Sequence, residues 1–482
     1  MMIVSLALCG MVALLTVNYV PQAQEDGSAE QTTAIILQPE TDGIVPEAQE
    51  NIGFVRSDLQ DVLTASSEYG TIFPYPAKVI GWKEDGTPVF RYAMADSGGQ
   101  QITNAVYQSI ERQICGEQAI WILEREENGA KRVSCAAQDG SWTLGPYDGS
   151  ITIYGDKIFV RRTENAAVTT VYNNKGKILG QVAGIPTACD DGVIVSYVRT
   201  EEQTAWNFYD AEDDLKQTGT LEAVSVGKFS DGHAVVQLKD DVWGFTDTEG
   251  SVVKTDAVQL EDCLEGCSLA KDKDGKYGVL DVSGEEVIPF DYIKGTVCSE
   301  EVALYQLWKT EDKCVVIHAT DGQKLHLPSN LNAQQLIPLP KNYFTYSDEE
   351  NQQTIVFDDL DTMEFEPNTT FYRQGKKVLV AASEDCYQIL SIADGEVSKK
   401  RAYRYVPQED TASQLDTVFT IEDTETGAQG IANTRGRVVL APIYDSIRSV
   451  DGSYYEAVQD GWAGIVDANG EWIIRTRLTG ME

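Results

Sequence analysis

A ten-residue pattern occurs twice at one spacing in two separate parts of this chain. Gly244-Phe-Thr-Asp247-Thr-Glu-Gly250-Ser-Val-Val253 returns as Gly278-Val-Leu-Asp281-Val-Ser-Gly284-Glu-Glu-Val287, with first glycines 278 − 244 = 34 residues apart. Near the C-terminus Gly430-Ile-Ala-Asn433-Thr-Arg-Gly436-Arg-Val-Val439 returns as Gly464-Ile-Val-Asp467-Ala-Asn-Gly470-Glu-Trp-Ile473, and 464 − 430 is again 34. A fixed period of this length means one small unit that cannot bury its apolar face alone and must stack on its neighbours.

The unit reads as a β-hairpin. An apolar strand meets an Asp or Asn whose side chain caps the turn, Gly three residues later supplies positive φ, and a second apolar strand leaves. Two units run on into Pro and Tyr, as Val287-Ile288-Pro289-Phe290-Asp291-Tyr292 and Val439-Leu440-Ala441-Pro442-Ile443-Tyr444-Asp445. Proline cannot donate to a ladder, so each marks a strand end or a bulge. Looser copies have turn residues near Gly86, Gly140, Gly176, Asp214, Gly322, Asp361 and Gly395. Most gaps between turn residues are 34 to 41 residues and one is 54, giving ten or eleven units from Tyr69 onward.

These residues resemble the bacterial WG-repeat proteins, whose unit runs strand, Gly-Lys-Trp-Gly, strand, Asp-x-x-Gly, Val-Ile-Pro, Tyr-Asp. Lys276-Tyr277-Gly278 through Tyr292 matches that order best, and Trp243-Gly244 carries the Trp-Gly pair. At the C-terminus Gln429-Gly430 and Ala463-Gly464 stand in that place, with Trp462 shifted by one. The resemblance implies β-hairpins and no common reaction. The expected fold is all-β, a tandem array of hairpin repeats over 67–482. Units of this size hold about four short strands, so the array is expected to be β-propeller-like, with an open β-repeat array as the alternative. One blade is expected to combine Ile72–Tyr92 with Trp462–Thr476.

The residues before the array read differently. Residues 1–23 carry no charge, and 17 to 20 apolar residues reach about 25–30 Å as a helix, close to a bilayer core. An uncleaved signal-anchor helix is the first reading, a cleaved signal peptide the second and a lipoprotein box at Leu6-Ala7-Leu8-Cys9 the third. All three put the body outside the cytoplasm and associate the chain with a membrane through its N-terminus. Residues 24–66 form an acidic polar stalk, and Phe54, Val55, Leu59, Val62 and Leu63 fall at helical spacing, so a short helix is expected over 52–67.

The chain has 76 acidic against 38 basic residues, a net charge of −38 that repels nucleic-acid phosphates. Eight cysteines follow the leader, Cys115, Cys135, Cys189, Cys263, Cys267, Cys298, Cys314 and Cys386, and an even number permits disulfides. Cys263 and Cys267 have ligand spacing but no second pair, so they read as a loop disulfide or two free thiols rather than a zinc site. Asp272-Lys-Asp274-Gly275 lacks the later ligands of a calcium loop and reads as a turn. The three histidines, His233, His318 and His326, form no metal or catalytic motif, and no nucleophile elbow, P-loop or dinucleotide fingerprint is present, so no cofactor is expected.

Eighteen residues are assigned to building the repeat. They are Trp243, Gly244, Asp247 and Gly250; Tyr277, Gly278, Asp281, Gly284, Pro289 and Tyr292; Gly430, Asn433, Gly436, Pro442 and Tyr444; and Gly464, Asp467 and Gly470. The function expected from this reading is a non-catalytic platform for a protein, peptide or cell-wall glycan. The alternative is an extracellular polysaccharide hydrolase or lyase using paired carboxylates, for which Trp82, Trp121, Trp142 and Trp308 are available to floor a sugar site.

Overall fold

The computed structural model describes residues 36–37 and 55–478, apart from 202, 300–302, 312, 321, 325–336, 339–343, 348–352, 357–361, 367, 376, 394 and 409–415. The expected anchor helix, the stalk up to residue 54 apart from the strand Ile36–Leu37, and His326 lie outside these residues. No helix among the described residues is long and apolar enough to cross a membrane.

The described chain is all-β, folded into ten sheets in chain order. The first, spanning strands from Ile36–Leu37 to Thr143–Tyr147, has nine strands. Seven of the other nine are four-stranded and two are three-stranded, each with strands in sequence order. The 34-residue unit is thus one antiparallel meander, as in the sheet Gln259–Leu260, Cys267–Lys271, Tyr277–Asp281 and Glu286–Tyr292.

Local chemistry explains the turn between the third and fourth strands. Asp281 Oδ1 accepts the N–H groups of Ser283 and Glu285, both at 2.9 Å, while Gly284 turns the chain with φ 82°. Asp247, Asn433 and Asp467 take the N–H groups two and four residues on in the same way. Burial pushes the Asp281 carboxyl up, but the Ser283 hydroxyl and the N–H groups of Glu285, Ser283 and Gly284 outweigh it and hold the group below its ordinary value. Asp247 and Asp467 are lowered by the same kind of N–H donors against burial. A depressed folded value contributes stability that is present above the unfolded value near 4 and lost as pH falls through the folded one. The urea midpoint is therefore expected to fall from pH 5 to pH 2. Asp281→Asn should flatten that fall, as the Asn433 turn shows that an amide serves the same geometry.

The Gly of the Trp-Gly pair has a different cause. A Cβ on Gly278 would stand 2.7 Å from the Ile288 carbonyl oxygen, and on Gly430 2.6 Å from that of Leu440. In these two sheets the fourth strand also bulges opposite the glycine. Tyr277 pairs with Tyr292 and Val279 with Ile288, so four steps oppose two, and Pro289 lies in the excess. Gln429 with Tyr444 and Ile431 with Leu440 repeat this around Pro442.

Consecutive sheets share cores. Phe159, Val171 and Val182 of one sheet pack with Cys189, Ile194 and Tyr209 of the next. Val418, Ile431 and Tyr444 pack in turn with Ile447, Tyr455 and Val466. The turn glycines help the sheets approach. A Cβ on Gly250 would meet the Thr220 carbonyl at 2.7 Å, and on Gly470 the Tyr444 hydroxyl at 3.0 Å, each on the preceding sheet.

The last sheet returns to the first. Val450, Ile465 and Ile474 share one core with Ile72, Phe73, Tyr75 and Met94, and Thr476 Oγ1 donates to the Ala77 carbonyl at 3.3 Å. This corrects the expected shared blade, because Trp462–Asp467 and Trp472–Arg477 complete a four-stranded sheet of their own. The first segment packs against that sheet without joining its ladder. The short helix expected over 52–67 is also corrected. Val55–Gln60 is a strand paired in parallel with Gln101–Thr103, whose backbone groups a helix would leave unmatched.

Candidate functional site

The sheets deliver several polar side chains to one buried point. Arg112 lies on Tyr107–Cys115, Gln374 ends Thr370–Gln374, Tyr405 lies on Arg404–Val406 and Ser449 ends Ser446–Ser449. The last three are the first strands of their sheets, and Tyr107–Cys115 lies inside the nine-stranded first sheet. Asp416 stands just before Val418–Glu422 and is the centre of the group.

Arg112 Nη1 and Nη2 donate to Asp416 Oδ1 and Oδ2 at 3.1 and 2.8 Å, a two-point pairing across 304 residues of chain. Both residues are buried, at 6 and 5% exposure. Ser449 donates to Asp416 Oδ2 at 2.6 Å, and Gln374 Nε2 donates to the carbonyls of Asp416 and Val418 at 3.0 and 2.9 Å. Tyr405 donates to Gln374 Oε1 at 3.4 Å. Beside them Asp451 accepts the N–H groups of Ser453 and Tyr454, both at 2.8 Å. Burial pushes the Asp451 carboxyl up; those two N–H groups pull it down, Asp416 pushes it up again and Arg112 opposes. An ion pair with this many hydrogen bonds holds geometry. It fixes the return of the last sheets to the early ones.

A groove of about 200 Å³ is lined by Glu111, Gln113 and Glu124 together with Lys131 and Gly149–Ile151. Lys131 Nζ is 2.6 Å from Glu124 Oε1. A second groove of about 220 Å³ is lined by Arg162, Tyr172 and Gln181 among others. Both are below the roughly 300–1,000 Å³ usual for small-molecule sites.

The repeat residues build the turns and strands of their own sheets, and Gly250, Gly470 and Tyr444 also meet a neighbouring sheet. Trp243 and Tyr277 open third strands and are half-buried, Tyr292 and Tyr444 end fourth strands, and the turn and bulge residues sit as described. Trp121 and Trp206 are core residues whose indoles donate to the carbonyls of Ile72 and Ala223, both at 3.0 Å. Arg475 lies over Trp462 at 4.2 Å and Lys294 over Trp308 at 4.5 Å. His233 Nδ1 is 2.9 Å from the Asp231 carbonyl in a hairpin turn, and His318 ends a strand. Asp272 caps its own turn from the N–H groups of Asp274 and Lys276, at 2.9 and 2.7 Å. No group of three or more His, Cys, Asp or Glu among the described residues is placed to hold a metal.

All eight cysteines of the body are free thiols, so the permitted disulfides do not form, and seven of the eight are buried. Burial pushes Cys115, Cys189, Cys263 and Cys298 up to about 12. They pack as small apolar side chains. Cys263 and Cys267 flank the Leu264 turn without a bridge, Cys263 in the core shared with the preceding sheet and Cys267 in the core shared with the following one.

Sequence reasoning did not find Arg112, Asp416 or Ser449. Their only signal was an arginine at a strand position, Tyr107–Cys115, where apolar residues recur.

Residues 430–461 match the family model for a WG containing repeat. This stretch is a WG repeat. The match starts on the third strand of one sheet and ends after the second strand of the next, so the repeat and the sheet are out of phase. No curated protein matches the chain. Among solved structures, the computationally designed Ika8 protein is similar at 11% identity and TM-score 0.31, over 60% of this chain and 98% of that one. BamB from Moraxella catarrhalis is similar at 14% identity and TM-score 0.26, over 68% and 95%. A structure described as the eukaryotic initiation factor is similar at 10% identity and TM-score 0.40, over 69% and 95%. Likenesses of this size say nothing of what the chain binds.

Proposed function

We propose that this chain is a non-catalytic, extracytoplasmic binding or scaffolding protein. Its sheets are read as WG repeats of the bacterial type throughout, in a propeller-like ring held near a membrane by the N-terminal segment. The partner is a protein, a peptide or a cell-wall glycan. The observation that carries the reading is the division of labour within the unit. The recurring residues Asp247, Gly250, Asp281 and Gly284 are spent on turns and close approach. Recognition is left to the side chains that differ from unit to unit, which the turns present at the sheet ends.

The test is retention of the full chain on purified cell envelopes and cell-wall sacculi, followed by assay of the supernatant. A retained, saturable complex with no soluble sugar released is expected. Release of oligosaccharide fragments with nothing retained would sink the platform reading. That second outcome belongs to the hydrolase or lyase alternative, for which Glu111 and Glu124 on one groove wall supply the carboxylates. The ion pair of Glu124 with Lys131 and the absence of tryptophan from the residues lining that groove favour the first reading.

A further inference from the structure

Three exposed aliphatic side chains form a regular row. Val224, Val258 and Ile293 are 55, 46 and 41% exposed, and their spacings are 258 − 224 = 34 and 293 − 258 = 35 residues. Each lies in the connector that enters a new sheet. Each donates its N–H to a carbonyl at or near the end of that sheet's second strand, Val224 to Gln237 and Val258 to Lys271 at 2.8 Å, Ile293 to Trp308 at 2.7 Å. They are therefore one position repeated in three consecutive sheets, with neighbours about 10 Å apart at ordinary sheet stacking. In the last sheet the matching N–H, donating to Val458 at 2.9 Å, belongs to Asp445, so the apolar row does not continue there.

The charge beside the row differs from that of the molecule. In a meander the connectors and the turns between second and third strands share one end of the sheet. Those turns read Lys239-Asp240-Asp241 and Lys271-Asp272-Lys273-Asp274, and Lys309 pairs with Asp291 at 3.4 Å. Both signs are interleaved. The opposite ends of the same sheets carry tips such as Asp231, Glu249 and Glu265. In a chain of net charge −38 those tips repel their own kind, whereas the mixed end does not.

We propose that the end bearing Val224, Val258 and Ile293 is a homodimer interface, occupied by a second copy of this chain across a two-fold axis. A two-fold sets one patch against itself, so the patch must be self-complementary. An evenly spaced aliphatic row flanked by both Lys and Asp meets that condition, with aliphatic facing aliphatic and Lys facing Asp. The same arrangement turns the acidic ends of the two copies away from each other. This assignment is independent of whether the platform binds protein or glycan.

Native mass spectrometry of the full chain released from detergent tests it. The wild-type chain is expected at twice the monomer mass. The triple variant Val224→Glu, Val258→Glu and Ile293→Glu is expected at the monomer mass with an unchanged thermal melt, since none of the three is in a core. Val438→Glu, at a 43% exposed position on another sheet, should leave the dimer intact. A monomeric wild-type chain overturns the proposal and leaves this end to a different partner. A dimer that survives the triple substitution overturns it too, placing self-association elsewhere, as in the N-terminal segment.

Discussion

Asp416→Ala is expected to lower the free energy of unfolding by about 3–5 kcal/mol, because it leaves the Arg112 guanidinium buried without its counter-charge. The group is not exposed enough for water to take over, with Arg112 at 6%. Urea titration with a fixed slope measures the loss. A second variant separates charge from packing. Arg112→Met with Asp416→Leu removes both charges and keeps apolar volume, and should recover most of the stability. Equal losses in the single and double variants would show that the carboxylate matters only through the hydrogen bond it accepts from Ser449.

The second large effect is expected at Gly464. A Cβ there would stand 2.1 Å from the Ile474 carbonyl oxygen and 2.5 Å from the Arg475 Cα, both backbone atoms of the paired strand. Gly464→Ala must push the fourth strand outward, at a cost of about 1–3 kcal/mol. It should also disturb the stacking of Arg475 over Trp462, readable as a shift in tryptophan fluorescence. Gly461→Ala is the matched control. Gly461 has φ 76° with nothing within 4 Å of its Cβ position, so only the left-handed backbone opposes the change, at about 1–2 kcal/mol. Matching losses in midpoint and fluorescence at both positions would remove crowding as the reason for the Trp-Gly glycine.

What the sequence revealed of the fold was what is local in the chain. The Asp281 turn, the Gly284 φ and the Pro289 bulge are each set within a few residues, and a pattern at 34 residues carries them all. Features built from distant segments were hidden or misread. Helical spacing around Leu59 gave way to a strand because Gln101–Thr103 offers a ladder more than 40 residues away, a partner no local window contains. The Ile72–Tyr92 segment does meet the last sheet, as expected, but through side chains rather than hydrogen-bonded strands. Arg112 and Asp416 belong to no repeat pattern and are separated by 304 residues, so nothing in either neighbourhood points to the other. The row at Val224, Val258 and Ile293 was present in the spacing all along. Its meaning depended on knowing which valines stay exposed, and burial is settled only by stacking.

The offset between repeat and sheet decides where this protein can be cut. A fragment bounded by the repeat, such as 430–461, takes half of each of two sheets and exposes two raw ladders at once. Such a piece is prone to aggregate, even though it is the natural unit of the sequence. A fragment bounded at the connectors, near Val224 or Asp445, keeps whole meanders and exposes one apolar face at each cut. Limited proteolysis should respect the same rule, with surviving pieces ending between sheets rather than between repeats.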